Sequence, residues 1–227
     1  MIQIFNLSKS YGNKEVLQEI NATFDSGKVY GIVGENGAGK TTLFRCIAGL
    51  EQHEGVINSD KTPLKNHLGL LTSEPYYLPK MTGEEYIYLL TDARQIKIRS
   101  LKERNIFQLP LKEYVSNYST GMKKKLALTA VLLQNNDYFI LDEPYNGIDL
   151  ESSVVLTEVI HRLRTLGKTI LISSHIFSTL RESCDHILLL VDGKINKTVD
   201  KERFQELEQE MKEKIIQKDI DKLINPE

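Results

Sequence analysis

The sequence has few of the residues that mark secreted, fibrous or membrane-spanning proteins. Its 227 residues include no tryptophan, two cysteines and six prolines. Cys46 and Cys184 lie far apart and outside any C-x-x-C pattern, which favours buried thiols in a reducing compartment over a disulfide framework. No apolar run approaches the roughly 18 residues of a membrane span, and the first residues do not resemble a signal peptide. We therefore expect a soluble globular protein that stays in the cytoplasm.

The charge balance gives no sign of a nucleic-acid partner. There are 29 basic and 31 acidic side chains, for a net charge of −2, and no long block of lysine and arginine. Hydrophobic residues make up 41% and charged residues 26%, as in ordinary globular proteins. The length favours one domain with an elaboration.

Short apolar runs alternate with helical patterns over most of the chain. Four continuous runs are typical of strands buried on both faces of a parallel sheet: 29–33, 138–141, 169–173 and 187–191. Helical spacing of apolar residues occurs at 40–49, 121–133 and 150–166. This alternation predicts the α/β class. Residues 2–7, 16–24 and 56–58 are β-rich and separated by turn residues, so they predict a smaller antiparallel sheet at the start of the chain.

Two further segments depart from the α/β pattern. From about residue 76 to 117 the sequence is polar and helix-prone, which predicts an inserted helical subdomain. Near the end, Phe204, Leu207, Met211 and Ile215 follow each other at i, i+3, i+7 and i+11. This spacing predicts an amphipathic helical tail at residues 206–227.

A phosphate-binding motif lies between the first predicted parallel strand and the first predicted helix. Residues 34–41 read Gly-Glu-Asn-Gly-Ala-Gly-Lys-Thr and match G-x-x-x-x-G-K-S/T. The glycines let backbone N–H groups surround an anion at a helix N-terminus. Lys40 is expected to reach the β- and γ-phosphates and the Thr41 hydroxyl to ligate Mg²⁺. The N-K-x-D pattern of a guanine reader is not found, so guanine specificity has no support.

Acidic and basic side chains follow two of the other predicted strands. Asp142 and Glu143 end the run at 138–141, at the sheet edge where the phosphate loop also lies. Asp142 is a candidate Mg²⁺ ligand, and Glu143 is a candidate base or positioning group for the water that attacks the γ-phosphate. His175 follows the run at 169–173 and is expected at the same edge.

The order of these motifs resembles the nucleotide-binding subunit of an ABC transporter over about residues 1–205. The phosphate loop is followed by the insert, then by Tyr-Ser-Thr-Gly-Met at 118–122, the acidic pair, Asn-Gly-Ile-Asp at 146–149 and Ser-Ser-His at 173–175. The resemblance implies a P-loop NTPase (RecA-like) core, with an N-terminal antiparallel β-subdomain and a helical subdomain at about residues 76–134.

The resemblance also implies roles for individual residues. Glu143 and His175 would be catalytic, with His175 as the switch histidine, and Thr41 and Asp142 would hold Mg²⁺. Asp149 would be the D-loop aspartate, and Ser119 and Gly121 would form the signature that meets ATP bound by the opposite protomer. The nucleotide-binding residues implied in all are Tyr11, which would stack on adenine, Gly34, Asn36, Gly37, Ala38, Gly39, Lys40, Thr41, Thr42, Ser119, Gly121 and Asp149.

The sequence departs from the family pattern at two places. The signature is Tyr-Ser-Thr-Gly-Met rather than Leu-Ser-Gly-Gly-Gln, a variant that resembles the exporter-like branch with separate ATPase subunits. Where the family has a Q-loop glutamine, residues 72–75 read Thr-Ser-Glu-Pro. Ser73 or Glu74 is left as the candidate substitute for that glutamine.

By this resemblance, the chain hydrolyses ATP as a head-to-tail homodimer or heterodimer and drives an integral-membrane permease from the cytoplasmic face of the membrane. Two alternatives stay open: a soluble ABC ATPase not coupled to transport, and a nucleotide-dependent regulatory module that has lost hydrolysis. The missing glutamine motivates the second of these, whereas Glu143 and His175 speak against it.

Overall fold

Two β-sheets and the helices packed on them make up the protein. The computed structural model describes residues 1–78, 80–175 and 177–213. The strands are β1 (Ile2–Tyr11), β2 (Lys14–Phe24), β3 (Val29–Val33), β4 (Glu54–Ser59), β5 (Leu68–Leu71), β6 (Tyr138–Asp142), β7 (Thr169–Ser173), β8 (His186–Val191) and β9 (Lys194–Asp200). The helices are α1 (Lys40–Ile47), α2 (Gly83–Asp92), α3 (Leu101–Arg104), α4 (Thr120–Leu132), α5 (Leu150–Thr165), α6 (Phe177–Ser183) and α7 at residues 204–213.

The larger sheet has six strands in the order β5-β6-β7-β3-β8-β9. The first five strands are parallel, and every residue of β3, β6 and β7 is buried. Their side chains alternate between two hydrophobic clusters on the two faces of the sheet. Burial on both faces explains why these strands are continuous apolar runs, and it confirms the predicted α/β class.

The smaller sheet is antiparallel, as predicted, with the order β2-β1-β4. Ile2, Ile4 and Leu7 of β1 are at most 1% exposed and pack in the cluster that also covers one face of the larger sheet. β1 and β2 meet at the pair Tyr11–Lys14. This short hairpin end brings the first strands toward the phosphate loop, which Lys14 borders.

The sequence pattern did not reveal β9, which pairs antiparallel with β8 at the edge of the larger sheet. Its side chains are mostly polar and only Val199 is buried, so it has no continuous apolar run. The stretch at 76–117 contains α2, α3 and a 3₁₀ turn at Val115–Asn117, joined by turns and loops.

The predicted tail is helical as far as residue 213. Phe204 and Leu207, two residues of the predicted apolar stripe, are buried in this helix. Residues 214–227, including Ile215 of the predicted apolar stripe, lie outside the described residues. Cys46 and Cys184 are both buried and free, as expected. No helix in the described part of the chain is long and apolar enough to cross a membrane.

Candidate nucleotide-binding and catalytic site

The phosphate loop connects the end of β3 to the start of α1. Gly39 is the N-cap of α1 and has a φ of 107°, and a side chain there would collide with Leu17 Cδ2 at 2.8 Å. Only glycine adopts this backbone conformation readily, so the last glycine of the motif is required by the turn. The N-terminus of α1 has no side-chain cap and no acidic residue in its first turn. Its N–H groups and positive dipole end therefore suit an anion.

Lys40 is the first residue of α1, and its side chain contacts the backbone of the phosphate loop. Its ammonium group donates hydrogen bonds to the carbonyl oxygens of Gly34 at 2.8 Å and Glu35 at 3.1 Å, and the residue is 7% exposed. The charge is thus held against the first two residues of the phosphate loop. Contact of this ammonium group with phosphate, for which a lysine acts as a point charge, stays a prediction.

The carboxyl ends of β6 and β7 carry the candidate metal site. The carboxylate of Asp142 accepts hydrogen bonds from Thr41 Oγ1 at 2.7 Å and from Ser173 Oγ at 2.5 Å. Asp142 and Ser173 are paired across the two strands, which explains why they meet. Mg²⁺ prefers oxygen ligands and is commonly held by one or two protein groups, with water and substrate phosphates completing its shell. Thr41 and Asp142 fit that ion, with Ser173 orienting the carboxylate.

Glu143 and His175 form a pair at the same edge. Nδ1 of His175 lies 2.9 Å from Oε2 of Glu143. The backbone N–H of Glu143 donates to Ser173 Oγ at 2.9 Å, and its φ is +50°, an uncommon value for a residue other than glycine. Such conformations persist only where surrounding contacts enforce them. Ser173, which the motif analysis did not single out as functional, thereby positions both acidic residues.

Two clefts open beside the phosphate loop and share Gly34, Glu35 and Asn36. The larger has a volume of about 690 Å³, and its walls include Lys14, Gly37, Ala38, the end of β8 and Met211 of α7. The smaller, of about 390 Å³, also touches Val33, Glu143, Asn146, His175 and Met211. The phosphate loop and the Glu143–His175 pair therefore border the same cleft, the smaller of the two.

The predicted signature begins α4. Ser119 is its N-cap and accepts a hydrogen bond from Met122 N at 3.2 Å. A Cβ added at Gly121 would lie 2.5 Å from the carbonyl oxygen of Gly147, so glycine is needed for the close approach of the two backbones. Among the described residues, those that line the two clefts include neither Ser119 nor Gly121. The structure does not bring this signature to the phosphate loop of its own chain.

Asp149 is the N-cap of α5 and links that helix to α4. Its carboxylate accepts hydrogen bonds from Ser152 N at 2.8 Å and from Lys125 Nζ at 2.9 Å. The backbone hydrogen bond from Ser152 and then the bond from Lys125 hold the pKa of Asp149 well below its usual range. The contact with Lys125 was not predicted from the sequence, where three consecutive lysines look alike.

Tyr11 ends β1 and is 45% exposed, with the ammonium group of Lys9 4.6 Å from its ring centroid. Its strand partner Lys14 lines the larger cleft, whereas Tyr11 is not among the described residues of that lining. The hairpin end thus borders the cleft through Lys14. Stacking of this ring on adenine stays a prediction.

A buried lysine, Lys124, completes the surroundings of the acidic pair. It is 5% exposed, and its ammonium group donates to the carbonyl oxygen of Ser73 at 3.0 Å and approaches that of Asp142 at 3.5 Å. Burial lowers the pKa of Lys124, while the negative charges of Asp142, Glu143 and Glu74 oppose this shift. Sequence reasoning missed this residue, because only the rotation of α4 distinguishes it from its neighbours.

This combination of a parallel sheet, a glycine-rich loop before a helix, and acidic residues at the neighbouring strand end defines a P-loop nucleotide-binding protein. The sequence model described as "ABC transporter" matches residues 17–146. The ABC transporter ATP-binding protein NatA of Bacillus subtilis (strain 168) is 33% identical over 215 residues, covering 86% of this chain and 87% of NatA. The lantibiotic transport ATP-binding protein SrtF of Streptococcus pyogenes is 31% identical over 207 residues, covering 86% and 89%.

Solved structures agree on the fold. A structure titled as the ATP-binding subunit of an ABC transporter superposes with a TM-score of 0.79 at 23% identity, covering 93% of both chains. A dimeric ATP-binding cassette, described as a post-hydrolysis state bound to ADP and Pi, gives a TM-score of 0.81 at 20% identity, covering 88% of this chain and 98% of that one. The fold is that of the P-loop NTPases, as predicted. The chain belongs to the ABC transporter family.

Proposed function

We propose that this chain binds and hydrolyses ATP as the ATPase subunit of an ABC transporter. The observation that carries the proposal is the hydrogen-bonded group Thr41, Asp142, Ser173, Glu143 and His175, which lies beside the phosphate loop and was assembled from three separate segments of the sequence. Membership of the family and similarity to named ATP-binding proteins support it.

In this proposal different residues bind the phosphates, hold the metal ion and activate the attacking water. The N–H groups of residues 34–41 and the ammonium of Lys40 bind the phosphates and hold the γ-phosphate in place. Thr41 and Asp142 would hold Mg²⁺, which supplies positive charge against the phosphate oxygens. Glu143 orients the attacking water and accepts its proton, and His175 fixes the carboxylate of Glu143 through the contact at 2.9 Å.

The complete site is proposed to need a second cassette. Ser119 and Gly121 present a helix N-terminus, an anion-binding feature, away from the clefts of their own chain. Next to Asp149, Leu150 and Val154 are 82% and 63% exposed, so an apolar surface flanks this region. A head-to-tail dimer would place each signature on the nucleotide of its partner and cover these side chains. The partner is proposed to be a second copy of this chain or another nucleotide-binding subunit.

The transport partner is proposed to be a separate membrane permease that docks on the segment between β5 and α4. This segment carries five large apolar side chains that are 47–78% exposed: Tyr76, Leu78, Leu89, Ile106 and Tyr114. A contiguous exposed apolar patch is typical of a contact surface, and we propose that these side chains form one. Docking there would hold the chain at the cytoplasmic face of the membrane. The double variant Tyr76→Ser, Leu78→Ser should no longer co-sediment with membranes that contain the permease, while its nucleotide binding should be unchanged. Co-sedimentation equal to that of wild type would contradict the assignment of this surface to the permease.

The activity itself is tested by ATP turnover of the purified protein. Wild type should release phosphate steadily, and Glu143→Gln should lose roughly 10²–10⁴-fold in kcat, the usual contribution of a general base, while it still binds ATP. Glu158→Gln, at an exposed position of α5, is the control and should match wild type. A wild-type protein that binds ATP but shows no turnover would support a regulatory module instead.

A further inference from the structure

The three lysines that follow the signature have three different environments. Lys123 is half-buried, Lys124 is 5% exposed, and Lys125 binds Asp149. Successive side chains on a helix point about 100° apart. Among the three, the rotation of α4 selects Lys124 to face the interior, where it reaches the segment that replaces the Q-loop and the end of β6.

The peptide unit between Asp142 and Glu143 is contacted from both sides. Its N–H group, on Glu143, donates to Ser173 Oγ at 2.9 Å, and its carbonyl oxygen, on Asp142, lies 3.5 Å from Lys124 Nζ. The orientation of this peptide sets the direction of the Glu143 side chain, whose backbone has the uncommon φ of +50°. Lys124 therefore influences the orientation of the Glu143 carboxylate through the backbone, without contacting that carboxylate.

The same ammonium group fixes the segment where the family glutamine is missing. Residues 72–75 contain no glutamine, and the stronger of the two contacts of Lys124, at 3.0 Å, is to the backbone of Ser73 within that segment. One side chain of α4 thus joins the signature helix, the substituted segment and the end of β6.

Packing alone does not account for a lysine at this position. Removing an ammonium group from water is costly, and a whole buried ion pair can often be replaced by apolar residues of similar volume without loss of stability. Methionine would fill much of the same space. The ammonium group of Lys124 contacts two carbonyl oxygens and interacts with three acidic side chains, Asp142, Glu143 and Glu74. Its positive charge therefore supplies interactions that an apolar side chain of the same size cannot supply.

We propose that Lys124 is a positioning residue for hydrolysis, which ties the signature helix to the Ser73 segment and holds the Asp142–Glu143 peptide in its active orientation. This inference rests on the proposed ATPase activity. Lys124 would fix the backbone of the segment in which Ser73 and Glu74 are the candidate substitutes for the missing glutamine. A movement of α4 would be transmitted directly to the peptide that orients Glu143.

The test compares Lys124→Met, Lys124→Arg and, as a control on the same helix, Lys123→Met in the full-length protein. Lys124→Met should reduce kcat by about 10- to 100-fold, because small displacements of catalytic groups have effects of that size. Its KM for ATP should stay within about twofold, since the phosphate loop is untouched. Lys124→Arg keeps the donors and should recover most of kcat, and Lys123→Met should match wild type.

Thermal unfolding shows that the compared variants are folded. Lys124→Met leaves the carbonyl oxygens of Ser73 and Asp142 without their donor and should unfold at a lower temperature than wild type, so kcat is compared at a temperature at which every variant is fully folded. A purely structural lysine would then show no loss of kcat in the folded protein, whereas a positioning lysine shows the loss and recovers it with arginine. If Lys124→Met does not fold, Lys124→Gln is used with the same expected loss of kcat.

Folded Met or Gln variants with kcat within twofold of wild type would overturn the inference, and so would an Arg variant no better than Met. If wild type itself shows no ATP turnover, the proposed function fails and this inference fails with it. Turnover in wild type that persists in the variants overturns this inference alone.

Discussion

Replacing Ser173 with alanine removes a hydroxyl group that contacts both acidic residues. Ser173 is 0% exposed, donates to the Asp142 carboxylate at 2.5 Å and accepts from Glu143 N at 2.9 Å. A hydrogen bond to a charged group is worth about 1.5–3 kcal/mol, and a buried N–H left without a partner costs about 1–3 kcal/mol. Because the two contacts share one atom, their effects do not simply add, and we expect a loss of about 2–4 kcal/mol in the free energy of unfolding.

The measurement is urea denaturation of Ser173→Ala beside wild type, together with ATP turnover. The midpoint should fall without a change in the m-value, and kcat should fall by about 100-fold because Glu143 loses its backbone support. Ser116→Ala, at an exposed serine in the 3₁₀ turn Val115–Asn117, is the control and should change neither quantity. A Ser173→Ala protein within about 0.5 kcal/mol of wild type, with unchanged kcat, would refute the reasoning, since surface substitutions alone have effects that small.

Two further predictions concern the phosphate loop and the D-loop. Lys40→Ala removes the ammonium group held on Gly34 O and Glu35 O, so ATP affinity measured by calorimetry should fall by tenfold or more, about 1.4 kcal/mol; unchanged affinity would contradict the assignment of the loop. Asp149 has a lowered pKa, so its hydrogen bonds contribute stability above its ordinary pKa and lose it as the pH falls through the lowered value. The stability difference between wild type and Asp149→Asn should therefore be constant at neutral pH and shrink only at strongly acidic pH. A difference that already disappears near pH 5 would show that the carboxylate is not held in this way.

The sequence was sufficient to predict the elements whose signal is local. β3 and β7 match the expected strands in both bounds, because burial on both faces makes their apolar runs continuous. The phosphate loop and the acidic pair were likewise predictable from short motifs, and β7, which pairs in parallel with both β3 and β6, brings the ends of these strands to one edge of the sheet. These predictions needed only neighbouring residues and the rule that parallel strands end at a common edge.

Features that depend on register or helix rotation were not predictable. Ser173 matters because it is paired with Asp142 across two strands that are distant in sequence. Lys124 and Lys125 differ because α4 turns one inward and the other toward Asp149. β9 was not predicted, because an edge strand with one buried side chain has no continuous apolar run. In each case the deciding information is a three-dimensional neighbour rather than a residue type.

The most direct test of the account is the mass of Glu143→Gln in solution with ATP. If each site needs the signature of a second chain, ATP that cannot be hydrolysed should trap a dimer, and light scattering should give twice the chain mass of 25.9 kDa. The same variant without nucleotide, and Lys40→Ala with ATP, should give a single chain mass. A Glu143→Gln protein that binds ATP fully and stays at the mass of one chain, in the absence of any other cassette, would contradict a homodimer in which identical chains complete each other's sites.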